Sequence, residues 1–261
     1  IKFLADHDPL TDLFNRRKLV EKIKENIDKN INGTLILLDI DDFKNINDTL
    51  GHAYGDKLLK HMANVFLSLL KDKSTIYRLG GDEYYILLEG VTLKNEIESF
   101  LGEVISEIEN NNYLEGIRNH ITTSMGIVSF PEDGSDVNEL LMKVDLAMYS
   151  AKKYGKNQYK FFNDQIISAF DEKVGMEKKL REALKNGDFE IEYQPIICAK
   201  TLQMDYFEAL VRMYDRETNS LVSPGSFISI AESTGIIVPL GKMVFNKVFQ
   251  QLSIIKEQGI T

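Results

Sequence analysis

The sequence contains a single cysteine, Cys198, in 261 residues, so no internal disulfide can form. It has no CxxC and no Cys/His spacing of the kind that holds zinc. Both absences fit a reducing compartment and lead us to expect a cytoplasmic location. Long apolar runs are missing too. The longest, such as 34–38 and 84–88, fall far below the roughly 18 residues that a membrane span requires. No charged-then-apolar leader opens the chain, so neither export nor membrane contact is expected of this segment. Basic residues are in the minority, 31 against 40 acidic, for a formal net charge of −9. Broad nucleic-acid binding needs a basic face to displace counterions, so a nucleic-acid partner is not expected. With this sign of charge, a phosphate ligand needs help from cations. No GxxxxGK[ST] occurs, since Gly51-His52-Ala53-Tyr54-Gly55-Asp56-Lys57 lacks both the spacing and the hydroxyl, which excludes a P-loop NTPase. His7, His52, His61 and His120 form no HExxH, and no GxSxG is present. Zinc hydrolysis and serine hydrolysis have no support.

What is present is a globular composition, 43% hydrophobic and 27% charged, long enough for one large domain or two ordinary ones. The opening Ile1-Lys2-Phe3-Leu4-Ala5 reads as the tail of a helix begun upstream. Asn15 caps an amphipathic pattern with Leu19, Ile23 and Ile27 at helical spacing. A buried strand over 34–38 runs into Asp39-Ile40-Asp41, and helices follow near 43–50 and 54–70. Strands over 75–79 and 84–88 flank Gly80-Gly81-Asp82-Glu83, the pattern of a tight hairpin. A helix near 93–110, a strand over 121–130, a helix near 136–154 and a strand over 158–162 complete the pattern. This order predicts an α+β domain over 1–163, with a mainly antiparallel central sheet and packed helices. A polar helical linker is expected over 164–185. The remaining segment, 186–261, reads strand, strand, helix, helix, and looks truncated because it stops before any sheet could close.

Carboxylates at a strand end, as at Asp39 and Asp41, are commonly turn punctuation or helix caps. The hairpin shifts that balance: Gly80-Gly81 supply positive φ, yet a turn has no need of Asp82-Glu83. If the hairpin lies beside the first strand, Asp39 and Asp82 converge, and acids held close repel unless a cation joins them. Hard oxygen ligands of this kind select Mg²⁺ or Mn²⁺. Asn47 and Asp56 flank a glycine-containing bend and together offer the donors and acceptors that read the N1–H and N2–H₂ edge of guanine; ordinary helix caps would look the same. Lys152 and Lys156, four apart at a helix end, present either a solvated terminus or a clamp on phosphates.

Taken together, Asp8-Pro9-Leu10-Thr11, Asp39-Ile40-Asp41-Asp42-Phe43-Lys44, Asn47-Asp48, Gly51-His52, Gly55-Asp56 and Arg78-Leu79-Gly80-Gly81-Asp82-Glu83-Tyr84 resemble the GGDEF family of diguanylate cyclases over roughly residues 1–163. The resemblance implies a cyclase-like palm fold that condenses two GTP molecules into cyclic di-GMP with release of two pyrophosphates, working as a homodimer. It implies Asp39, Asp82 and the Ile40 carbonyl as metal ligands. Glu83 is implied as ligand or base near the attacking 3′-hydroxyl, Asn47 and Asp56 as guanine readers, and Lys44 and Lys152 as phosphate contacts. Three positions depart from the family pattern: Asp12 stands where Gly is usual, Tyr84 where Phe is usual, and Lys156 where Arg is common. The family's product-inhibition frame, Arg-x-x-Asp, reads Lys71-Asp72-Lys73-Ser74 here, so feedback at that position is expected to be absent or weak.

The second half, through Tyr193-Gln194-Pro195-Ile196, Glu208-Ala209-Leu210-Val211-Arg212 and Ala231-Glu232-Ser233-Thr234-Gly235, resembles the opening of an EAL domain, a barrel phosphodiesterase acting on cyclic di-GMP. Glu208 would be a metal ligand and Arg212 a phosphate contact there, in a site that 186–261 leaves incomplete. The leading expectation is a diguanylate cyclase within a GGDEF-EAL tandem. The alternative is a catalytically silent GTP-binding module that regulates an EAL phosphodiesterase.

Overall fold

In a computed structural model, the described residues are 5–70, 74–118 and 120–258, with the side chain of Asp205 left aside. Residues 1–4 of the expected N-terminal helix tail and 71–73 of the Lys71-Asp72-Lys73-Ser74 frame therefore lie outside the described residues, whereas Ala5 is described and helical. The chain divides into two compact units, Ile1–Ile167 and Ser168–Thr261.

The first unit runs α1 (Arg16–Asp28), β1 (Gly33–Ile40), α2 (Phe43–Leu50), α3 (His52–Leu69), β2 (Ser74–Gly80), β3 (Glu83–Glu89), α4 (Lys94–Asn110), β4 (Tyr113–Leu114), β5 (Ile117–Arg118), β6 (Thr123–Phe130), α5 (Val137–Lys153) and β7 (Tyr159–Phe161). Asn15 caps α1 as expected, its side chain accepting from the Lys18 amide. Five strands form one sheet in the order β2-β3-β1-β6-β7. The β2–β3, β1–β3 and β1–β6 pairs are antiparallel, and β6–β7 is parallel.

β1 is central and buried at every position, and its alternating side chains feed two cores, as the period-two geometry of a strand requires. Ile36, Leu38 and Ile40 pack with Leu58, Met62 and Phe66 of α3 and Leu101 and Val104 of α4. Leu35 and Leu37 pack on the other face with Leu19 and Ile23 of α1 and Leu140, Val144 and Ala147 of α5. Each fully buried aliphatic side chain contributes about 1.5–3 kcal/mol. Asp39 continues the odd series, which puts it on the face covered by α5. Gly126 in β6 allows that helix to come close, because a Cβ there would lie 2.1 Å from the Val144 carbonyl oxygen and 2.4 Å from the Met148 amide.

The second unit holds most of α6 (Asp164–Asn186), then β8 (Phe189–Ile197), β9 (Met204–Asp215), β10 (Ser220–Val222), α7 (Pro224–Ser233) and α8 (Ile237–Glu257). Its sheet is antiparallel, in the order β10-β9-β8, and no closed barrel forms among the described residues. The helix expected as a linker is continuous, and it carries Leu180 and Ala183 into a core with Phe189, Met213, Phe227 and Leu240. No helix among the described residues is long and apolar enough to cross a membrane.

Candidate active site

The site is assembled at the end of β1 and the β2–β3 turn. Asp39 is the register partner of Glu83 on β3, so the strand-end acid and the hairpin acids are brought together by direct pairing. Gly80 and Gly81 have φ of 140° and 56°, conformations that an L-residue rarely adopts. The turn between them and Glu83 leaves Asp82 half-buried.

The turn is held by a buried guanidinium. Arg78 is 6% exposed; its Nε and Nη2 donate to the Gly81 carbonyl at 3.2 and 2.5 Å, and its Nη1 donates to Asp8 Oδ2 at 2.7 Å. Asp8 Oδ2 also accepts from the Thr11 amide at 2.9 Å and the Thr11 hydroxyl at 2.6 Å. Burial pushes the Asp8 carboxyl up, but Thr11 and Arg78 outweigh it and hold the group below the usual carboxylate range. Asp12, one of the departures from the family pattern, has φ 59°, which explains why glycine would suit that position.

Asp39 is 4% exposed, and burial lifts its carboxyl to about 6; Lys152 pulls the other way, while the Asp82 and Asp41 charges add to the rise. Glu83 is also raised, first by burial and then by Asp145, Asp39 and Asp82. Burial raises Asp145 on α5 as well, against the pull of Lys152. Lys152 Nζ stands 2.7 Å from Asp39 Oδ1. That contact is an ion pair in distance but is not aligned as a hydrogen bond, so the buried Oδ1 keeps no oriented donor.

Among the described residues, no three His, Cys, Asp or Glu side chains are gathered closely enough to hold a metal ion as they stand. The residue chemistry still suits one: Asp39, Asp82 and Glu83 offer hard oxygens, and a buried carboxylate oxygen lacks an aligned partner. Ile40, whose carbonyl the resemblance adds to that set, is buried opposite Thr123 on β6.

Asp41 plays a different part from Asp39. It is 6% exposed and accepts from Thr122 Oγ1 at 2.7 Å, Ser124 Oγ at 2.6 Å and the Asn157 amide at 3.0 Å. These bonds tie the end of β1 to β6 and to the loop before β7. Its partners come from residues more than eighty positions away, which is why sequence spacing gave no sign of them.

Asn47 on α2 faces the start of α3. Gly55 permits this, since a Cβ there would sit 1.9 Å from Asn47 Oδ1. That oxygen is buried without a hydrogen-bond partner, and Asp56 next to Gly55 is exposed, as is Lys44 on α2. Lys156 requires a correction. Helix α5 ends at Lys153, and Gly155 and Lys156 have φ of 121° and 60°, so Lys152 and Lys156 do not share a helix face. Lys156 Nζ instead donates to both carboxylate oxygens of Asp42, at 2.8 and 2.9 Å. Tyr84, fully buried, places its hydroxyl against the Leu59 carbonyl at 2.7 Å, so the extra oxygen relative to Phe is satisfied.

In the second unit, Glu208 and Arg212 lie on the same face of β9, opposite the core residues Val211 and Met213. Arg212 Nε pairs with Glu192 Oε2 at 2.7 Å.

Comparison with known proteins gives two matches in succession: the family model "Diguanylate cyclase, GGDEF domain" over residues 5–158 and "EAL domain" over residues 177–261. The signaling protein YkoW of Bacillus subtilis is 34% identical over 98% of this chain and 32% of its own length. The cyclic di-GMP phosphodiesterase PdeR of Escherichia coli is 33% identical over 100% of this chain and 39% of its own. The chain thus spans about a third of the length of these relatives. Among solved structures, the GGDEF domain of TpbB (YfiN) from Pseudomonas aeruginosa matches with a TM-score of 0.58 and 27% identity, over 63% of this chain and 99% of that one. The chain belongs to the GGDEF family of diguanylate cyclase domains, and the opening part of an EAL domain follows in the same polypeptide.

Proposed function

We propose that the first unit is a diguanylate cyclase, condensing two GTP into cyclic di-GMP and two pyrophosphates, within a tandem cyclic di-GMP signalling protein. The observation that carries this reading is the register pairing of Asp39 with Glu83 beside the Gly80-Gly81 turn, with Lys152 at the same carboxylate. Asp39, Asp82 and Glu83, with the Ile40 carbonyl, would hold Mg²⁺ or Mn²⁺. A cation held there would supply polarisation of the α-phosphate and a lowered pKa for the incoming 3′-hydroxyl. Lys44 and Lys152 bind phosphate oxygens, Asn47 and Asp56 read the guanine edge, and Glu83 stands ready to accept the 3′-hydroxyl proton. One domain holds one GTP, whereas the product needs two in mutual attack, so two copies face each other about a two-fold axis. GTP supply places the domain in the cytoplasm. Glu208 and Arg212 belong to a second, phosphodiesterase-type site in the EAL segment. The domain boundaries we adopt are 1–163 for the cyclase and 186–261 for the EAL segment, joined by the helix over 164–185.

A second reading has support of its own. PdeR is named as a phosphodiesterase, and Lys156 is engaged with Asp42, which favours a GTP-binding module that does no chemistry and regulates its EAL neighbour. Incubation of the protein with GTP and Mg²⁺, followed by nucleotide chromatography, separates the two. Cyclic di-GMP formation that rises faster than linearly with protein concentration is the expected result, and GTP binding with no product at any concentration selects the regulatory module. Asp82→Ala is expected to abolish turnover.

A further inference from the structure

The end of β1 presents an electrostatic problem. Asp39 is almost fully buried, and the charges of Asp82 and Asp41 act on it, while Glu83 sits across the strand pair. In the absence of a bound cation, this group of like charges needs a positive partner. The protein supplies its own: Lys152 Nζ at 2.7 Å from Asp39 Oδ1. The ammonium thus stands on the oxygen that the proposed function assigns to a metal ion.

Three features make that occupancy reversible. First, the tie is a single ammonium–carboxylate contact, at 2.7 Å to one oxygen of Asp39, which a competing set of anions can replace. Second, the Lys152 side chain is 33% exposed, and its flexible four-carbon stem gives the ammonium solvent to move into. Third, the nucleotide brings its own attraction, because a triphosphate offers the ammonium several anionic oxygens for one carboxylate. The helix beneath stays fixed by its close approach to Gly126, so the side chain is the part free to move.

Resting on the cyclase reading above, we propose that Lys152 is a resident counter-ion that keeps a divalent cation off Asp39 until nucleotide phosphates draw the ammonium away, so that cation and nucleotide load as one unit. Lys152 thereby acts as a positioning residue in addition to its phosphate contact. By thermodynamic reciprocity, nucleotide strengthens cation binding and cation strengthens nucleotide binding by the same factor. Removing the ammonium shrinks that factor.

The test is Mn²⁺ binding to the full 261-residue chain, followed by electron paramagnetic resonance, with and without a non-hydrolysable GTP analogue. Lys152→Gln is expected to bind Mn²⁺ at least tenfold more tightly than the unmodified protein when nucleotide is absent, and to show a correspondingly smaller gain when the analogue is added. Lys152→Arg, which keeps the charge, is expected to stay within about threefold of the unmodified protein. Lys152→Met repeats the measurement should the Gln variant fail to fold, as judged by thermal melting. Unchanged or weaker Mn²⁺ binding by Lys152→Gln or Lys152→Met without nucleotide overturns the counter-ion role while leaving the cyclase reading intact. Absence of Mn²⁺ binding by the unmodified protein even with the analogue overturns both.

Discussion

Arg78 and Asp8, seventy positions apart in the chain, form a buried ion pair whose other hydrogen bonds hold the backbone of the Gly80-Gly81 turn. The side chains are 6% and 12% exposed, so the pair is shielded from water on both sides. Removing one partner strands the other, which for buried pairs costs about 3–5 kcal/mol. Arg78→Ala is therefore expected to lower stability by about 3 kcal/mol in denaturant unfolding and to disorder the turn that carries Asp82. A loss below about 1 kcal/mol would show that the pair is not a structural tie.

The same pair sets an acid limit. Asp8 is held below its ordinary range, so its stabilisation is present above the unfolded carboxylate value of about 3.9 and is lost as pH falls through the lower native value. Asp8→Asn removes this share. Its thermal stability is expected to be lower than that of the unmodified protein near pH 7, with the difference narrowing below about pH 4. Parallel curves across that window would remove Asp8 from this role.

Gly55→Ala tests the guanine site. A methyl group placed 1.9 Å from Asn47 Oδ1 forces the amide to move, and because the obstructed atom ends a side chain, the fold can adapt. Affinity for a GTP analogue by calorimetry is expected to fall at least tenfold while the melting temperature changes little. Asp56→Ala is expected to narrow the preference for GTP over ATP; an undiminished preference would clear Asp56 of base reading.

Tyr84→Phe restores the residue usual in the family and deletes one buried hydrogen bond, Tyr84 Oη to Leu59 O. The expected loss is about 1 kcal/mol, with turnover within twofold, as read from unfolding curves and nucleotide chromatography.

Much of the first unit was legible in the sequence because its strands are continuous apolar runs and its helices carry clear periodicity. The buried series of β1 and the Asn15 cap are examples. The β4–β5 hairpin was not, since two-residue strands carry no period, and its turn uses Glu115 and Gly116 at φ 52° and 79° in place of a familiar Asn-Gly. β10, a three-residue strand directly after Asn219, escaped for the same reason. In the candidate site, the hairpin argument brought Asp39 and Asp82 near one another from sequence order, and the strand register then pairs Asp39 with Glu83. It could not reveal Asp8 beneath the turn or the three donors around Asp41, because those partners are fixed by tertiary packing alone. Lys156 was misplaced because helical spacing was extended through Gly155, where the helix has already stopped.

Gly126 has no side chain, and α5 rests directly on the strand there. Met148, whose amide a methyl group would strike, lies one helical turn before Lys152. One absent carbon atom thus calibrates how far an ammonium on the next turn can reach. A bulkier residue at 126 would lever the rod outward and carry the lysine off its acid without altering either partner, so a remote, silent-looking alanine could detune the phosphate end of this domain.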